Sequence, residues 1–142
     1  FDHTGASLAG WPQSIDPAAT GDIIQKSPAV GDLTGDGQPE IVAATNNGRI
    51  FVWSSTGVLL PGWPYGHGGG PNSVAIADVN GDGVNDIVAT DWGGRVDVLN
   101  VSGASLPGWP RFLDSGTTIL SPAVVGDVDG DGRSEIAVID IF

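Results

Sequence analysis

Asp127-Val128-Asp129-Gly130-Asp131-Gly132-Arg133-Ser134-Glu135 sets four carboxylates within nine residues, and its two glycines let the backbone bend between them. Like charges this close repel one another, and a hard dication with oxygen ligands is what neutralises them. The pattern occurs twice more, as Asp32-Leu33-Thr34-Gly35-Asp36-Gly37-Gln38-Pro39-Glu40 and Asp78-Val79-Asn80-Gly81-Asp82-Gly83-Val84-Asn85-Asp86. The copies are 46 residues apart from Asp32 to Asp78 and 49 from Asp78 to Asp127. One acidic loop recurring at a near-regular period marks a repeat protein built on calcium loops.

Working outward, each loop is flanked by short apolar runs rich in Val, Ile and Ala, which read as strands. In the first repeat Ser27 to Gly31 enters the loop and Ile41 to Thr45 leaves it. Asn46-Asn47-Gly48 forms a hairpin turn, because Asn and Gly tolerate positive φ. Ile50 to Trp53 returns, Ser54 to Gly57 turns, and Val58 to Leu60 is a final edge strand. The second repeat follows the same plan: Ser73 to Ala77, Ile87 to Thr90, a turn at Trp92-Gly93-Gly94, then Val96 to Leu99. Gln13 to Lys26, Gly66 to Pro71 and Arg111 to Thr118 are connectors, the second expected to be flexible. The repeats span residues 27–64, 73–110 and 121–142, and residues 1–12 supply a detached tail. Four short strands at this period predict an all-β chain of β-propeller blades, a single propeller segment over 1–142.

The tail is recognised by its ending. FDHTGASLAGWP (Phe1 to Pro12) closes like GVLLPGWP (Gly57 to Pro64) and GASLPGWP (Gly103 to Pro110). Alignment sets Phe1 opposite Trp53 and Phe142 opposite Asn47, so the terminal blade is split, with its first half in Ile136 to Phe142 and its last strand in Phe1 to Pro12. Propellers have about four to eight blades, so three repeats are not expected to close alone. Self-association or the remaining blades of a larger propeller are the expected partners.

Composition narrows the function classes. Net charge is −12, and the three loops hold ten of the 17 acidic residues. Three bound dications would halve that charge. The five basic residues, Lys26, Arg49, Arg95, Arg111 and Arg133, are scattered, which argues against nucleic acid. No apolar run approaches the ~18 residues of a membrane span, and no signal peptide is visible, as in a mature, processed or excised chain. With no cysteine there is neither a disulfide framework nor a thiolate metal site. Calcium loops of modest charge suit extracellular calcium, so a secreted or cell-surface location is expected.

The loop with its following strand and hairpin resembles the VCBS and FG-GAP repeats, the latter found in the propellers of integrin α chains. The resemblance covers nearly all of the chain apart from the connectors. It implies calcium bound by side chains at loop positions one, three, five and nine and by the main-chain carbonyl at seven. Carried over, these are Asp32, Thr34, Asp36, Gln38 and Glu40; Asp78, Asn80, Asp82, Val84 and Asp86; and Asp127, Asp129, Asp131, Arg133 and Glu135. SPAV and NSVA stand where the Phe-Gly and Gly-Ala-Pro signatures would be, which favours the bacterial-type repeat.

Other motifs carry less. An EF-hand needs Glu at loop position twelve, where this chain has Ala43, Ala89 and Val138. Trp11, Trp63 and Trp109, each between Gly and Pro, read as wedges between blades rather than sugar platforms. Trp92 replaces polar counterparts in a turn and is the better exposed-ligand candidate. His67-Gly68-Gly69-Gly70 has the look of a lipase oxyanion segment, but no Gly-x-Ser-x-Gly elbow accompanies it. Asn100-Val101-Ser102 is a formal glycosylation sequon. The reading is a calcium-binding propeller module for adhesion or for carbohydrate or protein binding. A structural subunit of a filament or larger ring stands second. A polysaccharide-degrading enzyme stands last, because no single-copy polar cluster is visible.

Overall fold

The computed structural model describes residues 1–15, 21–114, 118–119 and 121–141. All regular elements among them are strands, in three antiparallel units. The first blade is β1 (Ala29–Gly31), β2 (Glu40–Ala44), β3 (Arg49–Trp53) and β4 (Tyr65–Gly66), paired in that order. The second is β5 (Pro71–Ala77), β6 (Asp86–Asp91), β7 (Arg95–Leu99) and β8 (Arg111–Phe112). The third unit has β9 (Thr118–Ile119) paired with β12 (Asp140–Ile141), and β10 (Val124–Gly126) with β11 (Glu135–Ala137). The chain is all-β and its sheets are propeller blades, arranged without closing a ring.

Period-2 alternation decides what each blade buries. In the first blade Val42, Ala44, Ile50 and Val52 face the second, whose Val74, Ile87, Ala89 and Leu99 complete that core. The opposite face of the second blade, with Val88, Val96 and Val98, packs against Ile119, Ala123, Val125, Ile136 and Val138 of the third. The first blade's other face carries Ala43, Phe51 and Trp53, with Phe51 and Trp53 stacked at 5.3 Å, and Trp11 and Ile15 lie over it. The inner strands approach closely: a Cβ on Gly31 of β1 would lie 2.8 Å from Ile76 of β5. Only glycine fits there.

Three expectations about strands are corrected. Val58 to Leu60 makes a single bridge, Trp53 to Leu59, and the fourth strand instead follows the Gly-Trp-Pro segment, at Tyr65–Gly66 and again at Arg111–Phe112. Phe1 to Pro12 contains no strand. It repeats the turn of the other two tails: Gly5 N–H donates to Asp2 O and Asp2 N–H to Ala6 O, as Gly57 does to Ser54 and Ser54 to Val58. Ile136 to Ile141 is two short strands rather than one, interrupted where Ser121 Oγ bonds the backbone of Ile139; Phe142 lies outside the described residues.

The GHGGGP connector is also not a free loop. Gly66 ends β4, Pro71 begins β5, and between them His67 N–H donates to Gly48 O at 2.6 Å. Leu113 N–H bonds Gly94 O at the matching place in the next repeat. The antiparallel order puts the acidic loops and Gly-Trp-Pro segments on one face of the blades. The β2–β3 and β6–β7 hairpins, Trp92 and these connectors lie on the opposite face.

Candidate metal centres

Each acidic loop joins the two innermost strands of a blade, and the last inner-strand residue pairs with the residue at loop position nine: Gly31 with Glu40, Ala77 with Asp86, Gly126 with Glu135. The pairing fixes where the ninth carboxylate enters. The glycines at positions four and six all adopt φ between 74° and 87°, which L-residues with a Cβ disfavour. The bends aim backbone N–H groups inward. In the first loop Gly35 and Gly37 N–H donate to the two oxygens of Asp32, at 2.7 and 2.8 Å. Gly81 and Gly83 do the same to Asp78, and Gly130 and Gly132 to Asp127.

The fifth-position carboxylates accept from the seventh N–H, Gln38 to Asp36, Val84 to Asp82 and Arg133 to Asp131. The ninth carboxylate reaches back to the N–H of position two, Leu33 to Glu40 at 2.9 Å, Val79 to Asp86 at 3.2 Å and Val128 to Glu135 at 2.8 Å. Every loop is thus the same circuit. Backbone N–H groups, Gly37 first, hold the Asp32 carboxyl below its usual pKa. Asp86 is pushed up, by burial first and then by the charges of Asp82 and Asp78. A cation beside it would reverse that second influence.

Among the described residues, one set of three carboxylates brings ligand atoms within 4.8 Å of one another: Asp127, Asp129 and Glu135. In the second loop Asn80 Nδ2 donates to Asp82 at 3.0 Å, and in the first Thr34 stands at that position. All three donor sets are oxygen-only and acidic, the chemistry that suits calcium or magnesium.

The Gly-Trp-Pro tryptophans turn out to bridge blades. Trp63 Nε1–H of the first tail donates to Val101 O in the turn of the second blade, at 2.9 Å. Trp11 makes the same bond to Ser55 O of the first blade, also at 2.9 Å. Trp63 is buried, and all three Trp-Pro peptides are cis. Trp92, by contrast, is 50% exposed at its hairpin, on the face away from the loops.

A single-copy polar cluster escaped the sequence reading. His67 and Asp97 are fully buried at the interface of the first two blades. Arg95 Nη1 donates to His67 O, Arg95 Nη2 lies 2.6 Å from Asp97 Oδ2, and Asp91 Oδ1 accepts from Arg95 N–H. Both His67 ring nitrogens and Asp97 Oδ1 lack a partner among the described residues. In the first blade Arg49 instead pairs with Asp22, which also accepts from Thr45 Oγ1. The available signals were Arg49 and Arg95 in register, and Asp97 interrupting an apolar strand where the first blade has Phe51.

Burial pushes the His67 pKa down and the Arg95 charge adds to it, while Asp91 and Asp97 oppose. The folded protein therefore holds His67 neutral where the unfolded chain, titrating near 6.5, takes up a proton. Stability from this group is complete above about pH 6.5 and is lost as pH falls below it. His67→Leu, which copies Leu113 at the matching position, is expected to lose less stability than wild type between about pH 7.5 and 5.5. Urea unfolding at the two pH values checks this; identical losses would count against it.

The comparisons with known proteins bear on the fold and the family. None of the curated proteins matches the chain. Among solved structures, the BBS1N chain in "Crystal structure of BBS1N in complex with ARL6DN, soaked with lead" superposes with a TM-score of 0.64 at 13% identity. The match covers 83% of this chain and 38% of that one, and at such identity it speaks for the fold alone. No helix among the described residues is long and apolar enough to cross a membrane. The FG-GAP-like repeat matches residues 32–89 and 78–138, spanning both loop-to-loop units, and the chain belongs to that family.

Proposed function

We propose that the three acidic loops bind calcium and that the chain is a non-catalytic, calcium-stabilised propeller module working outside the cell or at its surface. Its ligand is a carbohydrate or protein, and its partners are other propeller blades. The observation that carries the metal reading is the loop circuit repeated in three blades, with oxygen donors at positions one, three, five and nine. When bound, the ion neutralises carboxylates that otherwise repel. The Asp127 loop supplies four carboxylates against three in each of the others, and more ligand charge tightens calcium binding when rigidity is similar.

Calorimetric titration of the chain with calcium tests this. Asp129→Asn, which gives the third loop the second loop's residue at position three, should weaken the tightest site by about tenfold and leave two sites unchanged. Absence of calcium-dependent heat in the wild type would remove the reading. For the ligand, Trp92 is the exposed tryptophan, and glycan-array binding lost on Trp92→Ala would support a carbohydrate.

A further inference from the structure

The first two acidic loops are joined by a side chain that is not among their donors. Asn85 stands at position eight of the second loop, between Val84 and Asp86, which supply the donors at positions seven and nine. Its Nδ2 crosses to the first blade and donates to the main-chain carbonyl of Asp32, position one of the first loop, at 2.8 Å. That carbonyl belongs to the same peptide unit as the N–H of Leu33, which Glu40 of the first loop holds at 2.9 Å. One rigid peptide plane is therefore gripped on its oxygen by the second loop and on its nitrogen by the ninth carboxylate of the first. On one side of it lies the Asp32 carboxylate, which accepts from Gly35 and Gly37 N–H. On the other lies the fully buried Leu33 side chain, in the same core as Ile87, the residue after Asp86.

The next pair of loops lacks this link. Asp86 holds Val79 N–H as Glu40 holds Leu33, but position eight of the third loop is Ser134. Among the described residues no hydrogen bond joins Ser134 to Asp78.

We propose that Asn85 couples the first two calcium sites, so that filling either one tightens the other, while the third binds independently. This rests on the reading that the loops bind calcium. In an unfilled loop, repulsion works to spread the carboxylates, and residues 84–86 and the Asp32–Leu33 peptide move with them. A loop drawn together on its cation fixes its own half of the Asn85 bond. The neighbouring loop then closes against a partner already in place and loses less conformational freedom in doing so. Linkage makes the effect reciprocal. Repulsion between two bound dications acts with the opposite sign, so a positive coupling is diagnostic of the contact rather than of charge.

A site-resolved NMR titration of the whole chain with calcium is the test, read at the Gly37, Gly83 and Gly132 amides, one in each loop. Asp82→Ala disables the second site. In an otherwise wild-type chain it should weaken the first site about fivefold, the worth of one net hydrogen bond, and leave the third unchanged. Asn85→Ser, which copies the third loop at this position, should remove the effect: adding Asp82→Ala to it should leave the first site as it was. Asn85→Ala, a second variant without the donor, should behave alike, and the same amide spectra report whether each variant is folded. A first site of one affinity whether or not the second is filled, or a weakening of equal size with and without Asn85, overturns the proposal. Glycine amides unmoved by calcium in every loop would remove the calcium reading and the coupling with it, an outcome distinct from three sites that fill without coupling.

Discussion

Chelation of calcium from the saturated protein should lower the melting temperature by about 10 °C or more, beyond a control of matched ionic strength. A site held at ~100 times its dissociation constant adds about 2.7 kcal/mol to stability. Three such sites exceed half of a typical domain's ~5–15 kcal/mol. The loops make the effect local as well as global. In the first two loops the ninth-position carboxylate holds the N–H of the residue packed between blades, so a carboxylate drawn back by repulsion loosens Leu33 or Val79 together with its own loop. Hydrogen exchange at Leu33 and Val79 should therefore accelerate in chelator before the β2–β3 hairpin does. A melting curve unchanged by chelator would end the idea that the metal is a folding ligand.

How far the sequence revealed this architecture depends on the length of the signal. The loop register was legible because Asp, Gly and a ninth carboxylate recur at fixed offsets, and the Asn46-Asn47-Gly48 hairpin was legible from its turn chemistry. Tyr65–Gly66 and Arg111–Phe112 were not, because a two-residue strand has no period to detect. The hydrogen bond that closes each blade's edge is tertiary, and Val58 to Leu60 looked the better strand only because it is apolar. In Phe1 to Pro12 the Gly-Trp-Pro ending is legible but not its role, because the tryptophan bonds to the turn of a neighbouring blade rather than finishing its own. Leu33 was the quietest residue. At a variable loop position it reads as filler, and only the packing shows it as the most enclosed side chain of its loop.

The largest single-residue effect is expected at that position, and its size should depend on which repeat is changed. Leu33→Ala removes a fully buried side chain from the core shared by two blades, and such truncations cost about 2–5 kcal/mol. The neighbouring atoms cannot easily collapse into the gap. Trp63 is tied to Val101 O by its indole N–H, and Asn85 is tied to Asp32 O, so the walls of the seat are fixed by hydrogen bonds on two sides. The cost should accordingly lie in the upper part of that range. Val79→Ala, at a half-buried copy of the same position, should cost less, and Val128→Ala should stay within about 0.5 kcal/mol, as exposed substitutions do. Urea unfolding of the three variants measures the series. Leu33 being lost without penalty, or Val128 costing as much as Leu33, would mean that the loop tip is not the plug between blades.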